Sequence, residues 1–502
     1  MSGRPNILLI TADQWRGDCL GTIGHPVVKT PNLDAFAEEA TVFERHYATC
    51  APCSPARASL YTGLYQMNHR VVWNGAPLDN RFDNIARAAR RAGYLPTLFG
   101  YTDTSPDPRI HDPNDPALST YEGVLPGFAV RQLLPEDDRP WLSWLASRGH
   151  DPSTFTTIHR VAPEKGQRIS RNAPPYGAEE TQTAFLTDAF LAWLGEQEPD
   201  QPWCAHISYL RPHPPIAVPA PYNRMYDPDD GPDFRGAASP EEEAALHPLV
   251  KAALATQNVS SHIPGADGLV KDLSRDDFRR IRALYYGMIS EVDAQIGRLL
   301  TGLSAADADK DTLVIFTSDH AEMMGDHWML GKGGFFEQSY HIPLIIRAPG
   351  MAKADRVTAF TSAADIFPTL IDMIGVEPLH SPDGTSLLPF IGGQTPTRWR
   401  KAAIFEFDYR TLPATAGIVP EETDGRDRAL LAMRGPDWQY VHFPALPPLL
   451  LKPCRPSGAL TDLSNDPDMQ PVLRDCLSDL LSLRMCHNDD TLAGKPVWDY
   501  YS

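Results

Sequence analysis

Two short apolar runs, far apart in the chain, end the same way. "NILLITAD" (Asn6–Asp13) and "TLVIFTSDH" (Thr312–His320) are each a continuous hydrophobic stretch closed by a carboxylate. A run without polar alternation has no wet face, so it suits a central strand of a sheet covered on both sides. "WCAHISYL" (Trp203–Leu210) and "IPLIIRAPG" (Ile342–Gly350) have the same character. Between these runs the period changes. Phe185, Ala189 and Trp193, with Leu186, Phe190 and Leu194, recur at helical spacing. Phe278, Ile281, Leu284, Tyr285, Met288, Val292, Ile296 and Leu299 form one long stripe. Buried strands alternating with helices set the fold class as α/β, with a large central sheet flanked by helices.

Two stretches break the alternation. Residues 102–175 are rich in Pro, Asp and Ser, and residues 217–276 are rich in Pro and Asp and contain Glu241–Glu243. Both read as long surface excursions, suited to walling a cleft or an oligomer contact. After about Gly375 the segments shorten to "AAIFEF" and "WQYVHF" among frequent Pro and Gly. The expected division is a catalytic α/β domain over 1–375, carrying both excursions, and a smaller C-terminal subdomain with an antiparallel sheet over 376–502. The aromatic tail "VWDYYS" is suited to docking on the body or on another subunit.

No apolar run approaches the ~20 residues of a membrane span, and Ile7–Ile10 is too short for a signal-peptide core. The expectation is a cytoplasmic protein without a membrane partner. The net charge of -19 repels nucleic acid, so none is expected as partner. An anionic substrate would need a local island of positive charge. The seven cysteines are odd in number and scattered, which argues against a disulfide framework and fits a reducing compartment.

Ligands of open α/β sheets sit beyond the carboxyl ends of the strands. Asp13–Gln14 and Asp319–His320 stand there. Carboxylate and amide oxygens suit hard divalent cations, and a histidine widens the choice towards Mn, Zn or Fe. The alternative is that each Asp caps a following helix. "CAPCSPARASLYTG" (Cys50–Gly63) is open in the same way. Its Cys50 and Cys53 have redox spacing, but prolines complicate the helix start. No second such pair completes a zinc site. Two buried neighbouring thiols are the plain alternative.

Cys53-Ser54-Pro55-Ala56-Arg57, followed by Leu60-Tyr61-Thr62-Gly63, resembles the C-x-P-x-R…T-G signature of type I sulfatases, within the alkaline phosphatase superfamily. "NILLITADQ" resembles the first metal-binding strand of that family, "TSDH" the second, and "GDHWMLGKGG" (Gly325–Gly334) the lysine-bearing loop. Three departures are similar to the phosphonate monoester hydrolase/phosphodiesterase branch. Asp13-Gln14 stands for the usual Asp-Asp, Asp319-His320 for Asp-Asn, and "GYTD" (Gly100–Asp103) for a Lys/His block. "LRPHPP" (Leu210–Pro215), "APYNRMY" (Ala220–Tyr226) and Asn74 in "VVWNG" also resemble that branch.

The resemblance implies an alkaline phosphatase-like fold and a hydrolase of phosphonate monoesters and phosphodiesters with side activity on sulfate esters. An arylsulfatase with an unusual metal shell, and an unmodified anion-binding relative, are the alternatives. It implies that a formylglycine-generating enzyme converts Cys53 to an aldehyde. The hydrated aldehyde has one hydroxyl to attack and a second to drive product release. It implies one divalent ion (Mn, Ca or Zn) on Asp13, Gln14, residue 53, Asp319 and His320. Arg57 would hold the formylglycine oxygen and nearby carboxylates, Lys332 would place charge at the substrate oxygens, and His213 would protonate the leaving group, with Lys332 the second candidate. Asn74, Tyr101 and Thr102 would bind substrate, with Thr104 close to the last of these. A turn Asn and a packed Tyr are the plain alternatives. Asp326 and His327 are expected to brace their loop. The substrate is a small anionic ester, and a homo-oligomer is expected.

Overall fold

The computed structural model describes residues 4–351, 356–410, 425–452, 458–488 and 491. Its strands are β1 Asn6–Ala12, β2 Thr41–Tyr47, β3 Cys50–Ala51, β4 Pro96–Gly100, β5 Ala129–Leu133, β6 Cys204–Tyr209, β7 Thr312–Thr317, β8 His341–Ile342, β9 Leu344–Arg347, β10 Val357–Ser362, β11 Ala403–Asp408, β12 Ala429–Arg434, β13 Gln439–His442 and β14 Leu449–Leu451. The large sheet runs β10-β2-β9-β7-β1-β6-β4-β5, with β8 beside β2. Its middle is parallel: β7 pairs β1, β1 pairs β6, and β6 pairs β4. β9 joins antiparallel to β7 and to β2, which makes the sheet mixed. Every residue of β6 and β7 is buried, as is β1 after Asn6, as continuous apolar runs require.

Helix Arg275–Ala305 carries the long stripe and buries it. It starts at a capping box, in which Ser274 Oγ accepts from Asp277 N at 3.1 Å and the Asp277 carboxylate accepts from Ser274 N at 3.0 Å. It packs on helix Gln182–Leu194, the other periodic segment.

The first excursion is more than a surface wall. It returns to the sheet as β5, parallel to β4 at the edge. "AVRQL" shows little hydrophobic pattern because an edge strand needs only one paired neighbour and is half wet. The second excursion contains helices Pro240–Ala244 and Pro248–Thr256, and its Glu243 is buried against His327, with an Oε1–Nδ1 distance of 2.8 Å.

The smaller sheet runs β14-β13-β12-β11-β3. β11 to β14 are antiparallel, while β3 lies parallel to β11 through Glu406 opposite Cys50 and Phe407 opposite Ala51. The two residues just upstream of Pro52 and Cys53 are thus held by strand β11, near the other end of the chain. The tail Val497–Ser502 lies outside the described residues. Among the described residues, no helix is long and apolar enough to cross a membrane.

Candidate active site

Four adjacent parallel strands deliver their carboxyl ends to one crevice. Thr11 of β1 is level with Thr317 of β7, so Asp13 and Asp319, each two residues on, emerge side by side. β4 hands over to Tyr101–Asp103, and β6 contributes Ser208 and then the loop to His213. Gln14 turns the chain with φ of 68°, a left-handed conformation that costs a side-chain-bearing residue energy and is held here by its surroundings. Its backbone N–H donates to Asp319 Oδ1 at 3.2 Å.

Cys53 is the first residue of a helix, Cys53–Thr62, in which every residue is buried. Arg57 is one turn on, as a helix starting at Cys53 requires. Its guanidinium donates to Asp319 Oδ2 at 3.0 Å, Asp13 Oδ2 at 3.1 Å and Ser208 Oγ at 2.8 Å, and to the Tyr101 carbonyl at 3.3 Å. It lies 4.2 Å from the centre of the Tyr101 ring. The Tyr101 hydroxyl donates to Asp13 Oδ2. Tyr101 therefore fixes a carboxylate of the cluster, and its proton is not free for a substrate oxygen.

Asp13, Cys53, Asp319 and His320 present ligand atoms within 4.8 Å of one another, all buried. His320 Nδ1 faces the Ala321 carbonyl at 3.2 Å, which places the proton there and leaves the Nε2 lone pair 3.2 Å from Cys53 Sγ. Burial pushes the imidazolium form of His320 down, so the ring is a neutral donor, the form that ligates metals. Asp13 Oδ1 has no hydrogen-bond partner although fully buried. Burial opposes its charge, while Arg57, Lys332 and the hydrogen bond from Tyr101 favour it. A buried carboxylate oxygen left unpaired among a second carboxylate and a neutral imidazole fits a divalent cation. Burial and the Asp13 charge push the Cys53 thiol well above its ordinary value, so the encoded thiol is protonated and a poor nucleophile. Its Sγ stands where the family resemblance places a formylglycine oxygen.

Lys332 Nζ donates to Gln14 Oε1 at 2.6 Å. Burial disfavours its charge, but the carboxylates of Asp13, Asp319 and Glu322 favour it, and it stays protonated. His213 Nδ1 donates to the Pro214 carbonyl at 2.6 Å, which leaves Nε2 available. Burial, then Lys332, pushes its pKa well below the ordinary histidine value. Asn74 Oδ1 accepts from Ser54 N at 3.0 Å, beside the helix start. Thr102, like Tyr101, is already engaged within the protein. Its hydroxyl donates to the Gly123 carbonyl at 2.9 Å and accepts from Leu125 N at 2.8 Å, so the neighbouring loop uses it in both directions. Thr104 Oγ1 donates to the Thr102 carbonyl at 3.2 Å. Asp326 takes Arg16 and Arg282, each at 2.9 Å, and His327 takes Glu243.

The model of the sulfatase family matches residues 5–376. The chain belongs to the sulfatase family. A relative, the multifunctional alkaline phosphatase superfamily protein PehA of Trinickia caryophylli, is 37% identical over 97% of both chains. An arylsulfatase of Clostridium perfringens is 31% identical, covering 79% of this chain and 80% of its own. The crystal structure of the phosphonate monoester hydrolase of Agrobacterium radiobacter superposes with a TM-score of 0.93 at 55% identity, covering 98% of this chain and 97% of that one. The large mixed sheet and smaller second sheet are those of this alkaline phosphatase-like fold.

Three participants of this sulfatase-family site escape a reading of the sequence. Ser208 is one residue of an apolar strand. Asp103 is buried, without a hydrogen-bond partner, 3.8 Å from Arg57, and burial raises its pKa well above the usual carboxylate range. Glu322, three residues past Asp319, is fully buried and accepts from the side-chain amide of Gln14. The available signal was their adjacency to the strand ends: Asp103 closes "GYTD" and Glu322 follows "SDHA".

Proposed function

We propose that this chain hydrolyses phosphonate monoesters and phosphodiesters, with side activity on sulfate esters, through a formylglycine formed from Cys53. It is a hydrolase acting on ester bonds. The observation that carries the reading is His320 Nε2, 3.2 Å from Cys53 Sγ. It gives a mixed nitrogen and oxygen ligand set at the nucleophile, in a chain 55% identical along its length to a phosphonate monoester hydrolase.

Asp13, Gln14, Asp319 and His320 would hold one divalent cation, with Mn, Ca and Zn all compatible with three oxygen donors and one nitrogen. Bound there, it would neutralise charge on the substrate oxygens and acidify the attacking hydroxyl. A formylglycine hydrate supplies two hydroxyls on one carbon, one to attack and one to drive release.

The chain's own residues set the rest. Arg57 locks Asp13 and Asp319 from behind, through Oδ2 of each, which leaves Asp13 Oδ1 without a partner. Lys332 adds a fixed positive charge where the transferring group gains negative charge. The Asn74 oxygen is used on Ser54, which leaves its amide N–H groups as donors to a non-bridging oxygen. His213, neutral in the free protein, takes up a proton when an anionic substrate supplies opposite charge beside it, and Nε2 passes that proton to the leaving oxygen.

The test is a pair of initial-rate series on one matured preparation, with an aryl phosphonate monoester and the aryl sulfate of the same leaving group. A kcat/KM at least tenfold higher for the phosphonate, about 1.4 kcal/mol, supports the reading. A tenfold preference for the sulfate would make the chain an arylsulfatase with an unusual metal shell.

A further inference from the structure

Gln14 brings an ambiguity that the other members of the cluster do not. A side-chain amide has an acceptor at one end and a donor at the other, of nearly equal size, and its neighbours alone decide which way it points. At one end, Lys332 Nζ donates to Oε1 at 2.6 Å. An ammonium has no lone pair, so it tolerates only the oxygen. At the other end, Nε2 donates to Glu322 Oε2. That carboxylate receives N–H groups throughout. Its Oε1 accepts from Met324 N at 3.0 Å and from Gly331 N. Glu322 is fully buried, so water does not replace a lost partner. Turning the amide over would set oxygen against oxygen and NH2 against NH3+.

We propose that Glu322 is a positioning residue that fixes the Gln14 amide with its oxygen on the Lys332 side, towards the cation site. Through the Gly331 N–H, the same carboxylate ties the backbone next to Lys332 to that orientation. One buried group thus sets both the polarity of a ligand and the place of the cation beside it. This rests on Gln14 serving as a metal ligand, as read above.

The chemistry gives a matched pair of variants. In Glu322→Gln, the single oxygen is claimed by the Met324 and Gly331 N–H groups. The new NH2 then faces Gln14 and turns its amide over, so that an NH2 replaces the ligand oxygen. Adding Gln14→Glu gives a carboxylate that accepts from that NH2 and from Lys332, and again offers an oxygen. Manganese(II) binding to the full-length chain, measured by titration calorimetry on metal-free protein, reads this directly. Glu322→Gln is expected to bind about 10–100-fold more weakly than the native chain. The double variant is expected to recover most of that lost factor.

Both variants lack the Glu322 carboxylate, so general damage to the fold strikes both alike. Native affinity in Glu322→Gln overturns the proposal, and so does a double variant no better than the single one, whether through misfolding or not. A native chain that fails to bind manganese overturns the metal reading itself, and this inference with it.

Discussion

His320 Nε2 stands 3.2 Å from Cys53 Sγ while His320 Nδ1 is tied to the Ala321 carbonyl. The tie fixes which nitrogen carries the proton, so the side chain at position 53 meets a lone pair. Burial and Asp13 hold the thiol protonated. A preparation whose Cys53 is entirely thiol is therefore expected to hydrolyse an aryl phosphonate monoester at least about a thousandfold more slowly than a converted one, about 4 kcal/mol. The mass of the Cys53 peptide gives the converted fraction, and the rate should scale with it. An undiminished rate from all-thiol protein would remove Cys53 from the chemistry.

Arg57 is the buried counter-charge of Asp13 and Asp319. Arg57→Ala strands both carboxylates, and breaking such a buried arrangement costs about 3–5 kcal/mol. Arg57→Lys should recover only part of it, because one ammonium lacks the planar fork that reaches both carboxylates and Ser208 together. Urea unfolding of the metal-free variants measures both. An Arg57→Ala midpoint equal to that of the native protein would show that the fork adds nothing to stability.

His213 is a proton donor in this reading, so its effect depends on the leaving group. His213→Asn should lower kcat about 10²–10⁴-fold for an alkyl ester, whose alkoxide needs a proton. A nitrophenyl ester, whose leaving group needs none, should lose far less. Equal losses on both esters would mean that His213 binds substrate without transferring a proton.

Away from the site, His69 accepts from Val71 N on Nδ1 at 3.0 Å, and its Nε2 lies 2.9 Å from Ser59 Oγ. Burial pushes its pKa to about 3. Between pH ~6.5 and ~3 the unfolded chain therefore holds a proton that the folded chain refuses, and stability is lost as pH falls, by up to about 1.4 kcal/mol per unit. His69→Gln removes that loss. The stability advantage of the native protein over His69→Gln should shrink between pH 6.5 and pH 5, as read from urea midpoints. A difference independent of pH would show that His69 titrates normally when folded.

The strand ends were legible because burial on both faces forces an unbroken apolar run, and a carboxylate at its close has to be paid for by a partner. Asp13 and Asp319 announce themselves that way, and the register of β1 against β7 then places them side by side. The direction in which a polar side chain spends its hydrogen bonds is not written locally. Tyr101 and Thr102 are neighbours of the same polarity, yet one serves Asp13 and the other a loop reaching Gly123 and Leu125. Glu322 looks like any acidic residue until the fold brings Gln14 to it. The two-residue strand Cys50–Ala51 has no periodicity to read, because its partner β11 lies near the far end of the chain.

That pairing gives the protein a timetable. At roughly 5–20 residues per second during synthesis, Cys53 leaves the ribosome tens of seconds before Glu406 and Phe407 exist to pair with Cys50 and Ala51. For that interval the segment lacks its strand partner. Once folding is complete, Cys53 is 1% exposed. A catalyst that rewrote this side chain would have to reach it before that burial is complete.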